Sequence, residues 1–101
     1  MKNKITGLLG IAKRAGKILY GFDAVVSAQQ TKKTVFIAVS SDVSENTLRK
    51  WDNLTDHAFL THLPLTKDEL SKALGSSKPV GILGITDNGF AKAIEKALQE
   101  I

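Results

Sequence analysis

The sequence predicts an α/β fold, a three-layer α/β/α sandwich, on three observations. Two apolar runs of strand length, residues 34–39 (Thr-Val-Phe-Ile-Ala-Val) and 80–85 (Val-Gly-Ile-Leu-Gly-Ile), lack the polar alternation of a half-exposed strand and read as buried on both faces. Segments with apolar residues three and four apart alternate with such runs, as helices do. The connections are short, and no repeat, linker or low-complexity stretch interrupts them, so residues 1–101 are expected to form one domain.

Each element has its own warrant. Ile5, Leu8, Leu9, Ala12 and Ala15 line one face of a first helix, with Asn3 as a candidate cap and Gly16 placed for a left-handed C-terminal residue. Gly7 and Gly10 inside it cost about 1 kcal/mol each relative to alanine and suggest close packing. Residues 17–20 read as a short strand. Gly21 marks a turn, and Asp23 is expected to cap a helix over 24–30. After the 34–39 strand, Ser40, Ser41, Asp42 and Ser44 offer caps for a helix over 45–53. Residues 58–61 (Ala-Phe-Leu-Thr) read as a core strand that ends before Pro64. Thr66 and Glu69 form a capping box, Leu65 and Leu70 a hydrophobic staple, and Gly75 ends that helix. Residues 76–79 are loop, and Asp87 caps a last helix whose Phe90, Ile94, Ala97, Leu98 and Ile101 share a face.

Charge is spread unevenly over this frame. Residues 1–33 carry seven basic side chains and one acid, while residues 34–101 carry seven basic side chains and nine acids. A small domain gains no stability from crowding like charges, so a one-sided field implies a partner of opposite sign. With a net charge of +4 and a pI near 9.5, the expected polyanion is a phosphate backbone. The chain has no cysteine, which excludes disulfides and thiolate metal sites and fits a cytoplasmic protein. The basic and then apolar start resembles a signal peptide, but Lys13 and Arg14 cut it short, and no run reaches the ~20 residues of a membrane span. No membrane association is expected.

Patterns that carry chemistry are missing. His57 and His62 are five residues apart, beside one strand, and would face opposite ways without further ligands, so no metal site is expected. Asp56 and His57, as neighbours in a strand, would also point apart. Gly81-Ile82-Leu83-Gly84 is neither a dinucleotide turn nor a phosphate loop and reads as tight helix–sheet packing. No cofactor, no small-molecule substrate and no enzymatic activity are expected.

The candidate binding surface is the segment around Gly21. Lys13, Arg14 and Lys17 precede a turn that opens a helix, and helix N-termini present free N–H groups with partial positive charge. Gly21 lets a phosphate or base edge approach the backbone. Phe22 is placed either to stack on a base or to staple into the core. Asp23 can accept from a purine amine or simply cap the helix. Lys32 and Lys33 add phosphate contacts.

Four stretches, LLGIAKRAGKILYGFDAV, SSDVSENT, TKDELSKALG and VGILGITDNGFAKAI, occur here in an order and spacing that resemble the L-seven-Ae-type ribosomal proteins, in particular their small bacterial YlxQ-type members. The resemblance runs from about Ile5 to Ile94. It implies a mixed four-stranded sheet between helical layers and binding of structured RNA, typically kink-turns or ribosomal RNA. The family's G-x-N-E recognition turn falls on Gly21, Phe22, Asp23 and Ala24, with the glycine kept and aspartate and alanine in the polar places. Its second contact loop falls on residues 76–81, which adds Lys78, Pro79 and Val80. Tyr20 stands where a basic residue is common, and Lys17 matches a common basic position. A ribosome-associated, monomeric RNA-binding protein is the expectation. The alternative is a protein-interaction module that kept the fold, a reading supported mainly by Ala24.

Overall fold

The computed structural model describes residues 2–100. Nine elements follow one another: α1 (Lys2–Arg14), β1 (Ile18–Tyr20), α2 (Phe22–Gln30), β2 (Phe36–Val39), α3 (Glu45–Thr55), β3 (Thr61–His62), α4 (Lys67–Leu74), β4 (Ile82–Ile85) and α5 (Asn88–Gln99). They build one mixed sheet in the order β1-β4-β2-β3. β4 runs antiparallel to both β1 and β2, whereas β2 and β3 are parallel.

The two apolar runs supply the middle strands only over 36–39 and 82–85, where both faces must be covered and every residue of β2 and β4 is buried. Residues 34–35 and 80–81 lie outside the strands, and Val35 is exposed. Alternate side chains divide between two cores. Phe36, Ala38, Leu83 and Ile85 pack with Ile5 and Leu9 of α1, Leu70 and Leu74 of α4, and Ala91, Ile94 and Ala97 of α5. Ile37, Val39 and Ile82 pack on the other face with Val25 and Val26 of α2 and Trp51 of α3. The sandwich therefore has three layers, α1/α4/α5, sheet and α2/α3, as its apolar pattern predicts. Ile101 lies outside the described residues.

Gly84 explains how closely α2 approaches. A Cβ there would lie 2.9 Å from Thr34 Cγ2, 3.4 Å from Ile37 Cδ1 and 3.5 Å from Val25 Cγ1. Thr34 has little room to yield, because its hydroxyl donates to Gln29 Oε1 at 2.7 Å. Gly81 has only the aliphatic part of Lys67 near it, so the tight-packing role belongs to Gly84 alone of the two. Gly10 likewise brings α1 within reach of α4, its Cβ position lying 3.6 Å from the Ala73 carbonyl, whereas Gly7 faces open space.

Most helix ends follow the predicted chemistry. Thr66 and Glu69 complete the capping box, and Ser44 and Asp87 cap α3 and α5. Gly16 and Gly75 take left-handed conformations after α1 and α4.

Three sequence expectations are corrected. Helix α1 already includes Asn3, so Asn3 is no cap; its carbonyl accepts from the Thr6 hydroxyl at 3.1 Å. Asp23 does not cap α2, which starts two residues earlier than expected, with Gly21 at the N-cap and no side-chain cap bond. Gly21 has φ 97° and ψ 142°, a conformation open to glycine, and this turn brings Phe22 onto the α2/α3 core. Residues 58–60 are not a strand. The chain leaves α3 through left-handed Asp56 and His57, and the Trp51 indole N–H takes the Ala58 carbonyl at 2.8 Å. The Thr55 hydroxyl accepts from the Ala58 N–H, so strand pairing begins only at Thr61, and Phe59 is left 84% exposed. Asp56 and His57 are accordingly turn residues rather than strand neighbours, and the His57 ring lies 3.5 Å from Asp52 at the exposed end of α3.

Two glycine substitutions separate steric from conformational constraint. Gly84→Ala is expected to lower stability by about 1–3 kcal/mol through overpacking, read as a lower urea midpoint. Gly21→Ala, whose Cβ meets no neighbour within 4 Å, is expected to cost about 1–3 kcal/mol through backbone strain alone. A parental midpoint in either variant would refute the corresponding constraint.

Candidate nucleic-acid interface

The antiparallel setting of β4 decides which loops meet. It places the C-terminal ends of β1 and β2 beside the N-terminal end of β4, so three connections share one end of the sheet. The Gly21 N–H donates to the Ile82 carbonyl at 3.1 Å, and the Ser40 N–H donates to the Gly81 carbonyl at 3.0 Å. The Val80 N–H reaches the Lys67 carbonyl at 3.4 Å, and the Lys67 N–H donates to Asp42 Oδ1 at 2.9 Å. The turn at Gly21 and the loop 76–81 thus form one surface, although about sixty residues separate them in sequence. In that loop the Ser76 hydroxyl donates to the Lys78 carbonyl at 2.9 Å and accepts from the Lys78 N–H at 3.2 Å. Lys78 and Pro79 are exposed, while Val80 is buried in the α1/α4/α5 core.

Charge at this end is mixed. Desolvation pushes the Asp42 carboxyl up, but the Ser40 hydroxyl, the N–H groups of Lys67 and of Asp42 itself, and the Lys67 charge outweigh it and hold its pKa below the ordinary carboxyl range. The buried Ser40 Oγ is in hydrogen-bonding geometry with no partner among the described residues, so it acts on Asp42 as a nearby dipole. Asp42 is therefore ionised at neutral pH, and with exposed Asp23 it offsets the cations here. Lys67 is one of those cations, with Cε 3.7 Å from the Cβ position of Gly81. Sequence reasoning missed it, because only the fold brings position 67 to this loop.

The aromatic residues are partly committed to packing. Tyr20 rests half-buried on the α1/α4/α5 core, and the Lys13 ammonium lies 5.7 Å from its ring centroid, a cation–π distance. The same ammonium donates to the Leu74 carbonyl at the end of α4. Phe22 packs half-buried against the α2/α3 core, which is the staple of the two roles open to it. Gly21, Asp23 and Arg14 are exposed.

The remaining candidate cations lie elsewhere. The Lys17 carbonyl accepts from the Thr86 N–H at 3.0 Å, just beyond the C-terminal end of β4. Lys32 and Lys33 follow the C-terminus of α2, and their connection is fixed to the same end by the Val35 N–H donating to Ile85 at 2.8 Å. β1 and its flanks separate Lys17 from Gly21 by about 13 Å, and α2 separates Gly21 from Lys32 by about the same. Lys17, Lys32 and Lys33 therefore do not converge with Lys13 on the Gly21 tip.

Among the described residues there is no group of three or more potential metal ligands, and no helix is long and apolar enough to cross a membrane.

Comparison with known proteins adds a lineage to this geometry. A protein called RNA-binding protein YlxQ from Enterococcus faecium is 30% identical over 99 residues, covering 97% of this chain and 94% of its own. Its namesake from Bacillus subtilis is 31% identical over 91 residues, covering 86% and 87%. A solved Bacillus halodurans structure, described as of unknown function, superposes with a TM-score of 0.80 at 26% identity over 95% of this chain and 97% of its own. The Giardia lamblia 15.5kD RNA binding protein shares the fold, with a TM-score of 0.71 at 10% identity over 99% of this chain and 86% of its own. The model of the ribosomal protein L7Ae/L30e/S12e/Gadd45 family matches residues 3–95, almost the whole sandwich, and the chain belongs to that family.

Proposed function

We propose that this chain binds structured RNA and catalyses no reaction, with the Gly21 turn and the Lys78–Pro79–Val80 loop as its recognition surface. The observation that carries the reading is the Gly21 N–H to Ile82 carbonyl hydrogen bond of 3.1 Å, which seats the two segments side by side. Physical chemistry supports it. The N-terminus of α2 has no side-chain cap, so its first N–H groups and the partial positive charge of the helix face outward for a phosphate or base edge. Lys13 lies by Tyr20 and Lys67 by Gly81, Lys78 is exposed in the neighbouring loop, and the names of the two YlxQ relatives support the same ligand class.

The preferred target is a kink-turn-like or ribosomal RNA, met by a cytoplasmic, monomeric, ribosome-associated protein. Asp23 accepts from base amines where an asparagine would also donate, and Ala24 contributes no polar group, so discrimination falls on the loop and on backbone groups of the turn. Lys17, Lys32 and Lys33, at the far end of the sheet, reach only an RNA long enough to pass around it. Exposed Ala24 also favours a second reading, a protein-interaction module on the same fold. A pull-down in high salt with nuclease separates the two: protein partners that persist support the module, and their loss supports RNA.

Binding to a structured RNA is expected to weaken log-linearly with salt, with a slope of about −0.7 to −0.9 per neutralised phosphate. Lys67→Glu with Lys78→Glu is expected to lower affinity at least ~10-fold, and Lys32→Glu with Lys33→Glu by less, as read by fluorescence anisotropy. The reverse ranking would move the recognition surface to the other end of the sheet.

A further inference from the structure

We propose that the groove between the C-terminal ends of α1 and α4 holds a second stretch of the same RNA's phosphodiester backbone, with Arg14 and Lys72 as the contacting cations. The inference rests on the RNA-binding reading and extends it to a helical face away from the recognition turn.

The groove follows from how the two helices cross. Gly10 lets α1 come close to the Ala73 carbonyl of α4, and beyond that crossing lies a depression of about 330 Å³. Lys13, Arg14 and Lys72 line it together with Gly10, Leu74 and Gly75, and no carboxylate does. Arg14 Nη1 lies 3.8 Å from the Gly10 Cβ position, which puts the guanidinium on the groove wall. No ion pair among the described residues engages Arg14 or Lys72. A cation near each helix C-terminus complements the helix dipole, but that role does not require three of them to face one groove. No charged group of opposite sign lines the groove to neutralise them, whereas a polyanion lying in it does.

Lys13 joins this groove to the recognition end. Its ammonium donates to the Leu74 carbonyl and also lies 5.7 Å from the Tyr20 ring centroid, one residue before Gly21. An RNA strand leaving the turn past Tyr20 therefore meets the groove next. The chemistry available there is charge and a guanidinium fork, which suit phosphate oxygens, with no site shaped to read a base. The groove's contribution is accordingly independent of sequence.

The test compares the full chain with two charge-matched variants on a fluorescently labelled structured RNA, by anisotropy across a salt series. Arg14→Gln with Lys72→Gln removes the groove cations and leaves the Lys13 contact in place. Lys92→Gln with Lys96→Gln removes two exposed cations of α5 as the control. Urea midpoints check that both variants are folded, and Lys72→Glu alone replaces the first pair if it is not. The groove variant is expected to bind ~10-fold more weakly with a salt slope reduced by about 2, and the control to match the parent. A groove variant indistinguishable from a salt-sensitive parent overturns the groove and leaves the turn intact as the RNA site. Equal losses in the two variants overturn it as well, since net charge alone then explains the effect. A parent that binds no RNA at any salt overturns the function proposed above and this inference with it.

Discussion

Antiparallel pairing of β4 with both of its neighbours is the constraint on which the surface depends. Ile82–Ile85 is buried on both faces and therefore sits inside the sheet, between β1 and β2. Because it runs against both, the residue before it must meet the residues that follow β1 and β2. The Gly21–Ile82 and Ser40–Gly81 hydrogen bonds are direct consequences. A parallel β4 would put loop 76–81 at the opposite end of the sheet from Gly21. Burial of an apolar run thus determines where two hydrophilic loops come together.

The same topology divides the charge. In the sequence, the basic N-terminal third reads as one field, but α1, β1 and α2 each reverse the chain and distribute it. Lys17, Lys32 and Lys33 end up beside Thr86 and Val35, across the sheet from Gly21. Lys67 and Lys72, which belong to a nearly neutral stretch of sequence, come to the turn and to the α1–α4 groove. Three-dimensional charge here is set by strand order more than by sequence clustering.

What could be read from the sequence was local. Residues 34–39 and 80–85 advertise buried strands because an unbroken apolar run has few other uses, and the Thr66–Glu69 capping box is complete within four residues. Local reading failed where one backbone group had two possible partners. Ala-Phe-Leu-Thr at 58–61 has strand composition, yet Trp51 and Thr55 claim the backbone of Ala58 first. Gly-Phe-Asp at 21–23 fits a cap at Asp23 equally well, but carrying the Phe22 ring to the α2/α3 core starts the helix earlier and leaves Gly21 at the N-cap. For the surface, Gly21 was legible as a turn that opens a helix, and Lys78 and Pro79 were named from the resemblance, while their adjacency and the positions of Lys67 and Lys72 needed the fold.

Amide chemical-shift mapping during titration with a structured RNA tests the central claim most directly, because it locates the contact without altering a residue. The account predicts the largest perturbations at Gly21, Asp23, Lys78 and Gly81, with Lys33, Val35 and Phe59 nearly silent. Perturbations centred on Lys33 and Phe59, or none at saturating RNA, would contradict it.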